Sequence, residues 1–187
     1  MRMSPLPEDH VRGAAEGPVT LLQYGDYQCL RCAAAEPVVA AILLSHPAGL
    51  RFVFRHFPAA EAHPMAALAA ETAEYAAMLG RFWPMHAALL ANAHRISLAL
   101  LFALARQSGL PADRFRDALA IGLCANRVRR DVDLGMADGV DETPAFFVDG
   151  RRHRGAPVGP TLEAAIDSAV KFAPRPKLHI KIRSEKP

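Results

Sequence analysis

Apolar residues follow two different periodicities along the chain, and the change between them separates sheet-forming from helix-forming segments. The run from Val19 to Tyr24 is almost wholly apolar and ends at Gly25-Asp26, which predicts a buried strand followed by a turn. Arg51 to Phe57 is rich in aromatic and β-branched residues and predicts a second strand. Ala145 to Asp149 predicts a short third strand, which Arg151 to Arg154 could join as a hairpin.

Between the second and third strands, from about residue 60 to residue 139, apolar positions recur every three or four residues. This spacing predicts a block of consecutive amphipathic helices. One further helix is predicted from Cys29 to about Ser45, with a kink at Pro37, and another over Thr161 to Phe172. The order of strand, helix, strand, helical block, hairpin and helix indicates an α/β fold with an all-helical insertion.

The two ends of the chain differ from the segments between them. Residues 1–18 are polar and contain prolines and glycines, which predicts a loose lead-in. Residues 173–187 form a basic tail, in which Lys177 to Arg183 alternates apolar and basic side chains. This alternation leaves two interpretations open. The tail is either a disordered basic end or an extra strand, added to a sheet edge of this chain or of a second copy in a homodimer.

The composition limits the classes of partner. Of the 187 residues, 51% are hydrophobic and 22% are charged, and the net charge is +3, which is ordinary for a soluble globular protein. The small basic excess and the lack of aromatics among the basic residues argue against a nucleic-acid partner. The apolar runs are too short to span a bilayer, and the segment after Met1 lacks the apolar core of a secretory signal. We therefore expect a cytoplasmic protein without a membrane partner.

Two cysteines stand between the first predicted strand and the helix that follows it, in the order Cys29-Leu30-Arg31-Cys32. Cys29 would lie at the helix N-terminus, where unpaired backbone N–H groups and the helix dipole stabilise a thiolate. Cys32 lies one turn further on and should be more buried. An exposed, acidified thiol beside a shielded one suits thiol–disulfide exchange. A zinc half-site is the alternative, but the sequence has no second Cys-x-x-Cys motif to complete it.

The segment VTLLQYGDYQCLRC, which begins at Val19, and the segment VDETPAFFVDG, which begins at Val140, together resemble the DsbA-like branch of the thioredoxin-fold thiol–disulfide oxidoreductases. The resemblance covers most of the chain, to about Lys171. It implies a thioredoxin fold in which the helical insertion lies between the second strand and the cis-proline strand. The implied division is a thioredoxin-like core at 19–59 and 140–172 and an insertion at 60–139.

The resemblance also assigns roles to residues near the cysteines. Thr143-Pro144 matches the cis-proline loop, which lies against the active-site sulfurs and binds extended substrates by strand addition. Leu30 and Arg31 lie between the cysteines and are expected to face the substrate, although relatives often carry proline followed by an aromatic residue or histidine there. The positive charge of Arg31 should favour the thiolate of Cys29.

Gln23 departs from the family pattern. It stands six residues before Cys29, where the resembled family commonly carries a buried acid that accepts a proton from the inner cysteine. A glutamine can orient a water molecule but cannot take up a proton at neutral pH. We therefore expect Gln23 to occupy the proton-transfer position and the mixed disulfide to resolve slowly.

The function expected from these residues is a thiol–disulfide oxidoreductase that needs no cofactor or metal and acts on protein disulfides or low-molecular-weight thiols through Cys29 and Cys32. The direction of catalysis stays open, since it depends on the reduction potential of the pair. Two alternatives also stay open: a glutathione-using enzyme related to the kappa-type transferases, and a non-enzymatic redox-sensing or metal-binding module. Cys124 is either a packed apolar residue or an auxiliary thiol. We expect His56, His63, His86 and His94 to be surface or structural residues and not catalytic ones.

Overall fold

The computed structural model describes residues 5–156 and 159–173. Within these ranges the strands are β1 (His10–Gly13), β2 (Val19–Gly25), β3 (Leu50–His56), β4 (Ala145–Val148) and β5 (Arg151–Arg152). The helices are α1 (Leu30–Ser45), α2 (Ala66–Ala77), α3 (Phe82–Ala91), α4 (Leu98–Gln107), α5 (Ala112–Ala120), α6 (Ala125–Ala137) and α7 (Pro160–Phe172), with a 3₁₀ turn at Ala93–Arg95. No helix among these residues is both long and apolar enough to cross a membrane.

The strands form one mixed sheet in the order β1-β3-β2-β4-β5. β2 and β3 run parallel, which α1 makes possible by crossing from the end of one strand to the start of the other. β4 pairs antiparallel with β2, so that Tyr24 faces Ala145. Every residue of β2 is buried, as expected of a central strand covered on both faces. The carboxyl end of β2, the start of α1 and the start of β4 therefore meet at one place.

The predicted loose lead-in is wrong for part of its length, because it contains β1. β1 pairs antiparallel with β3 at the edge of the sheet, with His10 opposite Phe54. The guanidinium of Arg55 donates to both carboxylate oxygens of Asp9, at 3.0 and 2.8 Å, and this pair is almost fully buried. The polar composition of the lead-in concealed this strand, which is held by backbone bonds to β3, by the neighbouring ion pair and by Val11, whose side chain packs against the buried cluster of Leu22 and Val53.

Helices cover both faces of the sheet. On one face Leu21, Phe52 and Phe146 pack in the same core as Cys32 and Val39 of α1. The apolar side of α7 and the inner faces of the insertion helices extend this core. On the other face Leu22, Tyr24 and Phe147 form a smaller core, on which Leu134 of α6 packs. The sequence places side chains alternately on the two faces, and the helices bury each set.

The remaining elements differ from the sequence predictions by small shifts. The second strand begins and ends one residue earlier than Arg51 to Phe57, and α1 continues through Pro37 to Ser45 as predicted. Helices α2 to α6 lie between β3 and β4, inside the predicted insertion. The predicted extra strand at Lys177 to Arg183 and the homodimer that it would form lie outside the described residues.

Candidate active site

The sheet ends in a tight turn that positions the first cysteine. β2 ends at Gly25, and the N–H of Cys29 donates to the carbonyl of Asp26 at 3.2 Å. Cys29 is the N-cap of α1, with extended backbone angles, and its own carbonyl accepts the N–H of Ala33. The cysteine pair therefore stands where the free N–H groups of α1 converge, as the sequence predicts.

The two cysteines have opposite acidities. The pKa of Cys29 is lowered to about 5, first by the thiol of Cys32 and then by the backbone N–H groups of Cys32 and Arg31 and by Thr143, which together outweigh burial. The pKa of Cys32 is raised far above its usual range by burial and by the neighbouring Cys29 sulfur. At neutral pH the structure therefore favours a thiolate on Cys29 and a protonated thiol on Cys32.

The predicted exposure of Cys29 is wrong, because only 6% of the residue is accessible, against 0% for Cys32. Thr143 lies against its sulfur. The sulfur of Cys29 lies 3.3 Å from the carbonyl oxygen of Thr143, and the Thr143-Pro144 peptide bond is cis. Pairing of β4 with β2 carries this loop to the cysteines, although the two segments are far apart in sequence.

The residues between the cysteines face outward. Leu30 is 62% exposed and presents an apolar surface next to Cys29. The guanidinium of Arg31 lies 3.1 Å from the carboxylate of Glu142, in the loop before Thr143, and both side chains are 60% exposed. This solvated pair links the helix to the cis-proline loop, so the charge of Arg31 is shared between Glu142 and the Cys29 sulfur.

Gln23 is buried in the sheet beneath the site. It lies on β2 between Phe54 of β3 and Phe146 of β4, on the same face as Leu21, and only 1% of it is exposed. Its Nε2 has no hydrogen-bond partner among the described residues. The side chain thus brings a buried amide, and no ionisable group, to the face of the sheet that packs against α1.

Sequence reasoning missed Asp26 and Gln28 as residues of the site. The N–H of Asp26 donates to the sulfur of Cys32 at 3.5 Å, and its carboxylate accepts from the ring of His63 at 2.7 Å. The side-chain carbonyl of Gln28 accepts the N–H of Met65 at 2.6 Å. Asp26 directly follows a predicted strand, and this position indicated a turn residue. No local pattern indicated that His63 belongs to the site, and the sequence favoured a surface or structural role for it.

A cleft of about 680 Å³ opens beside the cysteine pair. Its walls come from the start of α1, from the segment between β3 and α2, from the 3₁₀ turn and from the loop before Pro144. Cys29, Leu30, His63 and Thr143 line it. A substrate in this cleft would therefore contact the reactive sulfur, the exposed leucine and the cis-proline loop together.

Outside the cleft, Cys124 and a cluster of two histidines and a glutamate could be mistaken for reactive centres. Cys124 packs in the larger core, and burial raises its pKa to about 11, so it behaves as an inert apolar residue.

The ligand atoms of His10, His56 and Glu74 lie within 4.8 Å of one another, a spacing that could hold a metal ion. Arg127 lies 4.0 Å from the same carboxylate oxygen, and its fixed positive charge opposes a bound cation.

The chain resembles known proteins over most of its length. Residues 6–168 match a family described as thioredoxin. The Na(+)/H(+) antiporter NhaA 3 of Salinispora tropica is 45% identical over 165 residues, which make up 88% of this chain and 25% of that protein. The chain thus spans about a quarter of the length of the curated relatives it matches.

Solved structures give the same fold. The oxidised form of BdbD from Bacillus subtilis superposes with a TM-score of 0.77 at 21% identity, covering 86% of this chain and 92% of that one. A thioredoxin-like oxidoreductase from Silicibacter pomeroyi gives a TM-score of 0.75 at 26% identity, covering 89% and 95%. These likenesses confirm the predicted fold class, an α/β thioredoxin fold with a helical insertion.

Proposed function

Because the chain belongs to the DsbA-like family of thioredoxin-fold proteins, we propose that it is a thiol–disulfide oxidoreductase that acts through Cys29 and Cys32. One observation carries this proposal. Cys29 has a pKa lowered to about 5 at the start of a helix, while Cys32, one turn away, is fully buried and has a raised pKa. A metal site would need two ionised thiolates, whereas exchange needs one reactive sulfur and one held in reserve.

The exchange follows from this asymmetry. The Cys29 thiolate attacks one sulfur of a substrate disulfide, a bond forms between the two sulfurs, and the second substrate sulfur leaves as a thiolate. Cys32 then loses its proton and attacks the sulfur of Cys29, which releases the substrate thiol and leaves a Cys29–Cys32 disulfide. In the opposite direction the same steps oxidise a substrate dithiol.

The lowered pKa of Cys29 favours the oxidising direction. At neutral pH the reduced protein holds a stabilised thiolate, so reduction of the Cys29–Cys32 disulfide is favourable and the disulfide is a strong oxidant. We therefore infer that the protein donates disulfides to its substrates. The substrates are thiols of proteins or of small molecules that reach Cys29 through the cleft beside Leu30 and Thr143.

The antiporter names of the curated relatives do not define the activity of this chain, since the match covers 25% of each of the proteins compared. The matched quarter contains the thioredoxin-like part, so the proposal concerns redox chemistry and not ion transport. A cytoplasmic location stays a prediction.

Turnover of insulin disulfides with dithiothreitol tests the function. We expect the protein to accelerate insulin reduction and Cys29→Ser to abolish the acceleration. Cys32→Ser should instead accumulate mixed disulfides. No acceleration, combined with metal retained through gel filtration, would favour the metal-binding alternative.

The equilibrium reduction potential tests the direction. We expect a value between about −180 and −120 mV, the range from protein disulfide isomerase to DsbA. A value near the −270 mV or so of thioredoxin would contradict the oxidising role.

A further inference from the structure

A buried carboxylate joins the cysteine pair to a histidine of the insertion. The side chain of Asp26 is 0% exposed, and its Oδ2 accepts both the N–H of Ala59, at 2.9 Å, and Nδ1–H of His63, at 2.7 Å. Its Oδ1 accepts the N–H of Gln28 at 2.7 Å. Three donors directed at one carboxylate fix its position and its role as an acceptor.

The bond to Asp26 sets the tautomer of His63. Because an ionised carboxylate only accepts, Nδ1 carries the hydrogen, so whenever the ring holds one proton Nε2 keeps its lone pair. Among the described residues, Asp26 alone bonds to this ring. The His63 side chain is 29% exposed and lines the same cleft as Cys29. An oriented base therefore faces the space in which a substrate thiol would meet the reactive sulfur.

We propose that His63 is a catalytic residue that carries the proton during exchange at Cys29, and that Asp26 is the positioning residue that holds its ring. This inference rests on the proposed function. Asp26 is suited to the role because it contacts both His63 and the sulfur of Cys32. Its carboxylate holds His63, and its N–H donates to the sulfur of Cys32.

The proton balance of the oxidising step shows what His63 would do. A substrate thiol loses its proton to Nε2 of His63 while its sulfur attacks the sulfur of Cys29. A bond forms between these two sulfurs, the Cys29–Cys32 bond breaks, and Cys32 leaves with the electron pair. The imidazolium of His63 then returns the proton, directly or through water, to the Cys32 sulfur. The substrate sulfur is oxidised and Cys32 is reduced, with no other reactant required.

The need for such a group follows from the surroundings of Cys32. Burial raises the pKa of Cys32, so it is a poor leaving group unless a proton reaches it. Gln23, the buried polar side chain on the adjacent strand, cannot supply or remove one. His63 lines the cleft, and Asp26, which holds its ring, contacts the Cys32 sulfur through its backbone N–H.

Several charged and titratable groups besides His63 lie at or next to the cleft, and they contribute to the pH dependence of the exchange reaction. Cys29, Arg31, His94, Asp141 and Glu142 line the cleft, and Asp26 contacts the His63 ring from beneath it.

Single-turnover kinetics test the proposal. The oxidised protein is mixed with excess reduced glutathione, and formation of the mixed disulfide is followed from pH 5.5 to pH 9.5. We expect His63→Gln to slow the reaction about 100-fold near pH 6.5. The deficit should shrink above the ordinary thiol pKa of about 8.5, because glutathione then ionises without help. Asp26→Asn should slow the reaction about 10-fold with the same pH dependence, and added imidazole should partly rescue His63→Ala.

The matched control is His46→Gln. His46 also pairs with an aspartate, Asp167, at 3.0 Å, but at the far end of α1, and this variant should react at the wild-type rate. Equal rates for wild type and His63→Gln, an equal deficit at every pH, or no rescue by imidazole would each overturn the role of His63. Failure of the wild-type protein to exchange at all would instead overturn the proposed function.

Discussion

The sulfur of Cys29 lies 3.3 Å from the carbonyl oxygen of Thr143, although 114 positions separate the two residues along the chain. This contact covers the reactive cysteine and leaves it 6% exposed. It also places the cis-proline loop where a substrate strand would lie beside the sulfur that attacks it. The chemistry of the site therefore depends equally on α1 and on a loop that follows the whole helical insertion.

Alkylation should identify Cys29 as the reactive thiol. Because its pKa is lowered to about 5, the rate of reaction with iodoacetamide should rise through a midpoint near pH 5 and be level by pH 7. Mass mapping after brief labelling at neutral pH gives the site. Cys124 is the internal control, since a pKa raised to about 11 keeps it protonated. Faster labelling of Cys32 or Cys124 would contradict the assignment.

Replacing Gln23 by glutamate should speed resolution of the mixed disulfide. A carboxylate at this buried position can accept the proton of Cys32, which the amide cannot do. We expect a gain of about 10-fold, smaller than that usual for a general base, because His63 already carries protons in the wild type. Single-turnover kinetics on one disulfide peptide measure it, and equal rates would show that Gln23 does not serve Cys32. The variant should also be less stable, since its carboxylate has no cationic partner.

Glu74 should make the fold sensitive to acid. Burial alone would raise its pKa, but the bonds from His10 and His56, each 2.7 Å, hold the pKa well below its usual range. A lowered folded-state pKa gives stability that is present above the ordinary pKa of about 4.3 and is lost as the pH falls below it. Glu74→Gln should lower the free energy of unfolding at pH 7 by about 3 kcal/mol in urea titrations and flatten this acid dependence.

Glu71 is the matched control for Glu74, because it lies one turn earlier on the same helix. Burial raises its pKa, and its Oε2 has no partner among the described residues. Glu71→Gln should therefore leave stability at pH 7 unchanged or increase it. A loss equal to that of Glu74→Gln would mean that removing any charge from α2 is destabilising. The bonds from His10 and His56 to Glu74 would then not explain the effect.

The ion pair of Asp9 and Arg55 should anchor the N-terminal strand. Its side chains are 1% and 5% exposed, so Asp9→Asn leaves a buried guanidinium without its counter-charge. We expect a loss of about 3–5 kcal/mol in the free energy of unfolding. Asp113→Asn is the control, because the Asp113–Arg116 pair is exposed, and this change should cost less than about 0.5 kcal/mol. Similar losses in both variants would contradict a specific role for the buried pair.

Much of the fold could be predicted because its signals are local. The apolar run of β2, the period of the insertion helices and the turn at Gly25-Asp26 each depend on residues close in sequence. β1 could not be predicted in this way, because four residues with a single apolar side chain, that of Val11, form a strand only when β3 offers an edge to pair with. The Cys-x-x-Cys motif likewise placed Cys29 at a helix N-terminus, since that position depends only on the strand before it and the helix after it.

The sequence by itself determined where the two cysteines lie, since the order of strand, turn and helix sets Cys29 at the N-cap and Cys32 one turn inside. Only the tertiary structure decided what surrounds them. Thr143 covers Cys29, and the carboxylate of Asp26 holds a histidine 37 positions away. Such contacts depend on how α1, the insertion and β4 pack together. A pattern that repeats every two to four residues carries no information about which distant segments will meet.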